Sequence, residues 1–288
     1  MIKILITGSK GQLGSEIKKL SINFSDISFH FADFEELDIT NKNSLDFHFQ
    51  NNSYDFIINC AAYTAVDKAE SESEKALQLN SDAVKYLAEI ALEKKIKLIH
   101  ISTDYVFDGT SSVPYSEEDK VCPVSQYGIS KLEGEKQIEK SGCEAIIIRT
   151  SWLYSSFGNN FVKTILKYSK QKPELKVVFD QIGTPTYAED LALAILKIIV
   201  SKKFVSGIFH FSNEGVCSWY DFALEIVKNQ NINCNIIPVV SAEYPTPAKR
   251  PSYSVLNKSK IKNTFNLIIP HWKESLNKCL NEINLSEK

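Results

Sequence analysis

The sequence predicts an α/β protein built on a doubly wound parallel sheet, with a smaller C-terminal lobe. Three observations carry this. Short apolar, β-branched or aromatic runs alternate with longer amphipathic stretches through the first half of the chain. A glycine-rich turn, Gly8-Ser-Lys-Gly-Gln-Leu-Gly14, follows the first of those runs directly. Beyond about Thr150 the alternation loosens and aromatic residues and prolines become more frequent. Buried parallel strands read as near-continuous apolar runs. Their regular succession with helical patterns marks a sheet wound on both sides.

The predicted strands of the first half are residues 2–6, 27–31, 56–59, 98–102 and 145–148, and the clearest helices are 73–94 and 126–140. In the second half, 177–179 and 208–211 read as strands, and 189–201 and 219–229 as helices. The expected organisation is a dinucleotide-binding domain over 1–150, rejoined by a return segment around 184–212, and a substrate-binding lobe over 151–288. The tail from Asn284 is expected to fray.

Composition narrows the classes. A chain of 288 residues, 43% hydrophobic and 24% charged, is an ordinary globular protein, long enough to bury a core without disulfides or structural metal. The net charge is −2, with lysines and arginines spread along the chain, which argues against a nucleic-acid partner. Cys60, Cys122, Cys143, Cys217, Cys234 and Cys279 form no Cys-x-x-Cys pair and read as reduced thiols. The first apolar run is too short for a signal peptide, and runs such as 195–200 are too short to span a membrane. The expectation is a soluble cytoplasmic protein.

Glycines at 8, 11 and 14 let the chain turn tightly after the first strand and bring backbone N–H groups to a phosphate, which the following helix N-terminus also favours. The spacing is three and three, not the commoner two and three, and the alternative is a turn without ligand. Asp33, at the end of the second strand, is placed to accept hydrogen bonds from adenosine ribose hydroxyls; a plain surface loop is equally compatible. Phe34 follows where a basic residue would neutralise a 2′-phosphate, so NADH is favoured, although Lys10 leaves NADPH open.

Tyr127 and Lys131, four apart, share one helix face. A free tyrosine has a pKa near ~10, and an adjacent ammonium lowers it, so Tyr127 is a candidate proton donor to a carbonyl oxygen. Lys131 is also placed to bond the nicotinamide ribose. A solvated helix face is the alternative for the pair. Thr103, at the end of the fourth strand, faces the crevice where ligands of such sheets bind and can polarise a carbonyl; the alternative is a helix cap. The small residues after Asn59 let a cofactor lie against backbone, and Asn80 can bond back towards the site.

With these pieces in order, the chain resembles the extended short-chain dehydrogenase/reductase superfamily, whose cofactor domain is Rossmann-type, and within it the dTDP-4-dehydrorhamnose reductases. The stretches that carry the resemblance are 8–14, Asn59-Cys-Ala-Ala-Tyr-Thr-Ala-Val-Asp67-Lys-Ala-Glu70, Ser102-Thr-Asp-Tyr-Val-Phe-Asp-Gly109, Arg149-Thr-Ser-Trp-Leu-Tyr154 and Tyr244-Pro-Thr-Pro-Ala-Lys-Arg-Pro251. The resemblance implies NAD(P)H-dependent reduction of the 4-keto group of dTDP-4-dehydro-6-deoxy-L-mannose to dTDP-L-rhamnose, with Thr103, Tyr127 and Lys131 catalytic. It implies cofactor contacts from Gly8, Lys10, Gly11, Gln12, Leu13, Gly14, Asp33, Asp38, Ile39, Ala61, Ala62, Tyr63, Tyr127 and Lys131. Thr103, Asp104 and Trp152 would contact the sugar nucleotide, with Arg250 at its diphosphate. Core packing is the alternative for Trp152, and a surface charge for Arg250. Many relatives carry Arg where this chain has Phe34. Some bind Mg²⁺ between subunits through glutamates; Glu16 and Glu189 fall at comparable places, the C-terminal ligand has no clear match, and no metal ligand is assigned. A homodimer is left open.

Two other readings stay open. One is a related sugar-nucleotide 4-ketoreductase; 4,6-dehydratases usually carry Glu where Tyr105 stands. The other is a non-catalytic regulatory subunit of the methionine adenosyltransferase β type.

Overall fold

A computed structural model describes residues 1–286. Its first half runs β1 (Ile2–Thr7), α1 (Gln12–Leu20), β2 (Ile27–Phe31), α2 (Lys42–Asn51), β3 (Phe56–Asn59), α3 (Val66–Ala69), α4 (Ser73–Leu77), α5 (Ala83–Lys94), β4 (Lys97–Thr103), α6 (Gln126–Ser141) and β5 (Ala145–Thr150). The second half runs β6 (Leu153–Tyr154), α7 (Phe161–Ser169), β7 (Glu174–Val178), β8 (Ile182–Gly183), β9 (Thr186–Tyr187), α8 (Ala188–Val200), β10 (Gly207–His210), β11 (Cys217–Ser218), α9 (Trp219–Asn229), β12 (Asn235–Val239), α10 (Ser259–Phe265) and α11 (Trp272–Ser286).

Six strands form the central sheet in the order β10-β5-β4-β3-β1-β2, every adjacent pair parallel. The doubly wound sheet is therefore present, and β10 from the second half lies beside β5. One face packs Ile4, Ile6, Ile58 and Ile148 against α1 and the apolar side of α8, including Leu191, Ile195 and Ile199. The other packs Leu5, Ile57, Leu98 and Ile147 against α2, α5 and α6. The strands are apolar on both sides because both sides are covered.

A separate aromatic-rich core holds the later elements, with Tyr154, Tyr187, Phe222 and Trp272 buried among α7, α9 and α11. The expected helix 73–94 is interrupted by a π-helical turn, Gln78–Asp82. The tail expectation is corrected: α11 continues through Asn284 to Ser286, held by the buried Leu280 and Ile283, while residues 287–288 lie outside the described residues. All six cysteines are free thiols. No helix among the described residues is long and apolar enough to cross a membrane.

Candidate active site

The site lies beyond the C-terminal ends of β1, β3, β4 and β5. Gly8 takes a left-handed backbone, φ 63°, and a Cβ there would stand 2.6 Å from the Ala61 nitrogen. Only glycine fits this turn. A Cβ on Gly14 would meet the Gly8 carbonyl oxygen at 2.6 Å, so the third glycine lets α1 seat against the loop. A cleft of about 250 Å³ opens beside them, lined by Thr7, Gly8, Gly11, Asp33, Phe34, Leu37, Asp38, Ile39, Cys60, Ala61, Ala62 and Leu79. The Asp33 carboxylate is fixed at its mouth by the backbone N–H groups of Lys10 (2.7 Å) and Phe34 (2.8 Å). Glycines that clear space for an approaching group, and an oriented acceptor, fit an adenosine diphosphate moiety.

Seven predicted cofactor residues, Gly8, Gly11, Asp33, Asp38, Ile39, Ala61 and Ala62, line this cleft. Others have protein partners. Lys10 Nζ pairs with Glu35 at 2.7 Å, Gln12 accepts from the Asn160 amide, and Leu13 is buried in the core under α1. Tyr63 donates its hydroxyl to Glu72. Its backbone is clamped by Asn80, whose Oδ1 accepts from the Tyr63 N–H while Nδ2 donates to the Tyr63 carbonyl and to Ser130 Oγ. The π-helical turn carries Asn80, so this bulge ties the β3 loop to α6.

Ser125 caps α6 by accepting from the Gly128 N–H, which places Tyr127 in the first turn. Its ring meets that of Tyr105 edge-on at 5.5 Å. Burial pushes the Tyr127 phenol up to about 12, and the neighbouring Thr103 side chain opposes the rise. Thr103 Oγ1 itself donates to Asp104 at 3.0 Å. Thr103, Asp104 and Tyr127 are thus brought together. Burial lifts the Asp104 carboxyl to about 6.

Lys131 is buried one turn further along α6. Its Nζ donates to the Ile101 carbonyl at 2.6 Å and lies 3.4 Å from His100 Nε2; burial lowers it to about 8. Asn59 fixes the imidazole. Its Oδ1 accepts from Thr7 Oγ1 and the Ala61 N–H, leaving its Nδ2 to face His100 Nδ1 at 3.1 Å. The expectation that Lys131 lowers the Tyr127 pKa is corrected in this structure. The ammonium is turned to Ile101 and His100, and desolvation dominates the phenol.

α6 is anchored by a buried ion pair absent from the sequence reading. Glu135 takes Arg149 in two-pronged fashion (Nε 3.0 Å, Nη2 2.7 Å) and accepts from Ser102 Oγ at 2.5 Å. This joins the helix bearing Tyr127 and Lys131 to β4 and β5. Trp152, just past β5, has a left-handed backbone, φ 48°. Its ring stacks on Trp219 at 3.6 Å. Strain of this kind costs on the order of 1 kcal/mol and collects at binding sites. Arg250 holds Asp67 through both terminal nitrogens, 2.9 and 2.8 Å, so the 244–251 stretch closes onto the helix after β3.

The family model described as RmlD substrate binding domain matches residues 2–285. The chain belongs to this family. The RmlD chain is 43% identical over 287 residues to a dTDP-4-dehydrorhamnose reductase of Aggregatibacter actinomycetemcomitans, covering 96% of this chain and 97% of that protein. It superposes with a TM-score of 0.94 on a dTDP-4-dehydrorhamnose reductase of Clostridium acetobutylicum, 43% identical, covering 98% of this chain and 100% of the other. A third relative, the dTDP-4-dehydrorhamnose reductase of Bacillus anthracis in complex with NADP, gives a TM-score of 0.94 at 38% identity, covering 98% and 100%.

For the Mg²⁺ that the resemblance raised, the structure supplies the missing third carboxylate. Glu16, Glu189 and Glu282 present ligand atoms within 4.8 Å of one another. Lys19 Nζ contacts all three. An ammonium at the centre does not fit a hard dication that needs about six oxygen ligands.

Proposed function

We propose that this RmlD-family chain is an NAD(P)H-dependent oxidoreductase that reduces the 4-keto group of dTDP-4-dehydro-6-deoxy-L-mannose to dTDP-L-rhamnose. The observation that carries the reading is the convergence of Thr103 and Tyr127 beside a glycine-lined cleft, in a chain whose full-length relatives bear that activity in their names.

Gly8, Gly11 and Ala61 would hold the cofactor's pyrophosphate, Asp33 its adenosine ribose and Lys131 its nicotinamide ribose. When bound, the reduced nicotinamide supplies hydride to the substrate carbon. A phenol near 12 retains its proton at neutral pH, and retention is what a proton donor needs. Tyr127 gives that proton to the oxygen as negative charge develops there, and Thr103 shares the stabilisation. Trp152 and Asp104 would orient the sugar, and Arg250, with donors left beyond those engaged by Asp67, would meet the diphosphate. NADH is the preferred reductant: Asp33, Glu35 and Glu36 surround Lys10, and a 2′-phosphate would meet these carboxylates.

The test is product identification. Purified protein with NADH or NADPH and dTDP-4-dehydro-6-deoxy-L-mannose should consume the reduced cofactor and yield dTDP-L-rhamnose by NMR. Formation of a different 4-epimer would assign the chain to another 4-ketoreductase. No consumption, together with tight binding to a partner enzyme, would favour the regulatory reading.

A further inference from the structure

We propose that Lys19 is a built-in cation: its ammonium fills the cage formed by Glu16, Glu189 and Glu282 and makes this junction independent of divalent metal. The cage draws on three distant elements, α1, α8 and α11. It therefore clasps the helix that opens at the glycine loop to the C-terminal helix. Glu16 is fully buried. Its Oε1 accepts from Ser155 Oγ at 2.6 Å, while Oε2 has no hydrogen-bond donor. A buried carboxylate in that state needs a compensating charge.

Lys19, one turn later on the same helix, supplies it. Nζ lies 3.3 Å from Glu16 Oε2, bonds Glu282 Oε1 at 2.5 Å and contacts Glu189 Oε2. Its three N–H groups equal the three carboxylates in number. The outer oxygen of Glu282 is already taken by the hydroxyls of Tyr187 (2.9 Å) and Ser156 (3.3 Å). On Glu16 and Glu282 the oxygen left over is the one aimed at Nζ. A dication in the same space would stand beside a fixed positive charge and lose the near-octahedral oxygen shell it requires.

The test compares the full-length protein with Lys19→Met, which removes the charge at similar length. Thermal unfolding is measured in EDTA and in MgCl₂, and Mn²⁺ binding is read by the loss of the free-ion EPR signal. The parent chain is expected to keep the same Tm in both solutions and leave Mn²⁺ free. Lys19→Met is expected to lose several degrees in EDTA and to recover part of them with Mg²⁺ or Mn²⁺, which now enters the vacated cage. Mn²⁺ binding by the parent chain with a rise in Tm would overturn the proposal. So would an unchanged Tm for Lys19→Met in EDTA, or a loss that neither cation repairs. Should Lys19→Met fail to fold, the parent's Mn²⁺ titration decides alone, since binding contradicts the built-in cation and its absence supports it.

Discussion

Asp67 and Arg250, 183 residues apart in the chain, meet as a two-pronged ion pair at the rim of the site. The pair holds the Asp67 carboxyl below the usual aspartate range and fixes the guanidinium plane. Two stretches far apart in sequence therefore form one wall. Charge-assisted hydrogen bonds are worth roughly 1.5–3 kcal/mol each. Arg250→Met should raise KM for the sugar nucleotide about 10- to 100-fold, with the cofactor Kd unchanged. Asp67→Asn should raise it less, since the guanidinium remains. Steady-state kinetics with isothermal cofactor titration would check both; an unchanged KM in Arg250→Met would remove the diphosphate role.

Asp104 should limit stability above about pH 6. Its folded value of about 6 exceeds the ~4 of an unfolded aspartate. The folded chain therefore binds this proton more tightly, and stability falls as pH rises from about 4 to 6. Above that window the whole cost is present, on the order of 2–3 kcal/mol. Asp104→Asn should abolish the fall and be more stable at about pH 7.5 by roughly 1–3 kcal/mol, while losing activity. Urea unfolding across that pH range tests it.

The anchor beneath α6 predicts a different asymmetry. Arg149→Met leaves Glu135 buried without its partner and should cost about 3–5 kcal/mol. Replacing both, Glu135→Leu with Arg149→Met, should recover a large part of that. Denaturant midpoints of the three variants decide whether the pair acts as a unit.

Cofactor choice is expected to turn on Phe34, exposed at the cleft mouth beside Asp33. Phe34→Arg should raise kcat/KM for NADPH about 10-fold relative to NADH. A parent chain already favouring NADPH would contradict the reading from the acidic surroundings.

The sheet was legible because its strands, buried on both faces, are unbroken apolar runs, and the glycine turn marked the crevice. The places of Thr103 and Tyr127 were legible because one ends β4 and the other opens α6. What stayed hidden were pairings across long sequence distance. Nothing near Asp67 announces Arg250, and nothing in α11 announces that Glu282 completes the set begun by Glu16. The direction of the Lys131 ammonium was hidden too, because it depends on an imidazole oriented from β3 by Asn59. The π-helical turn under Asn80 has no period that the sequence reading separates from an ordinary helix.

The central claim is that Tyr127 delivers the proton. Single-turnover reduction of the sugar nucleotide should be compared for the parent chain and Tyr127→Phe, each with its cofactor Kd and thermal unfolding measured alongside. The account predicts a rate about 10²- to 10⁴-fold lower with Kd and fold retained. A folded Tyr127→Phe turning over at the parental rate would contradict it.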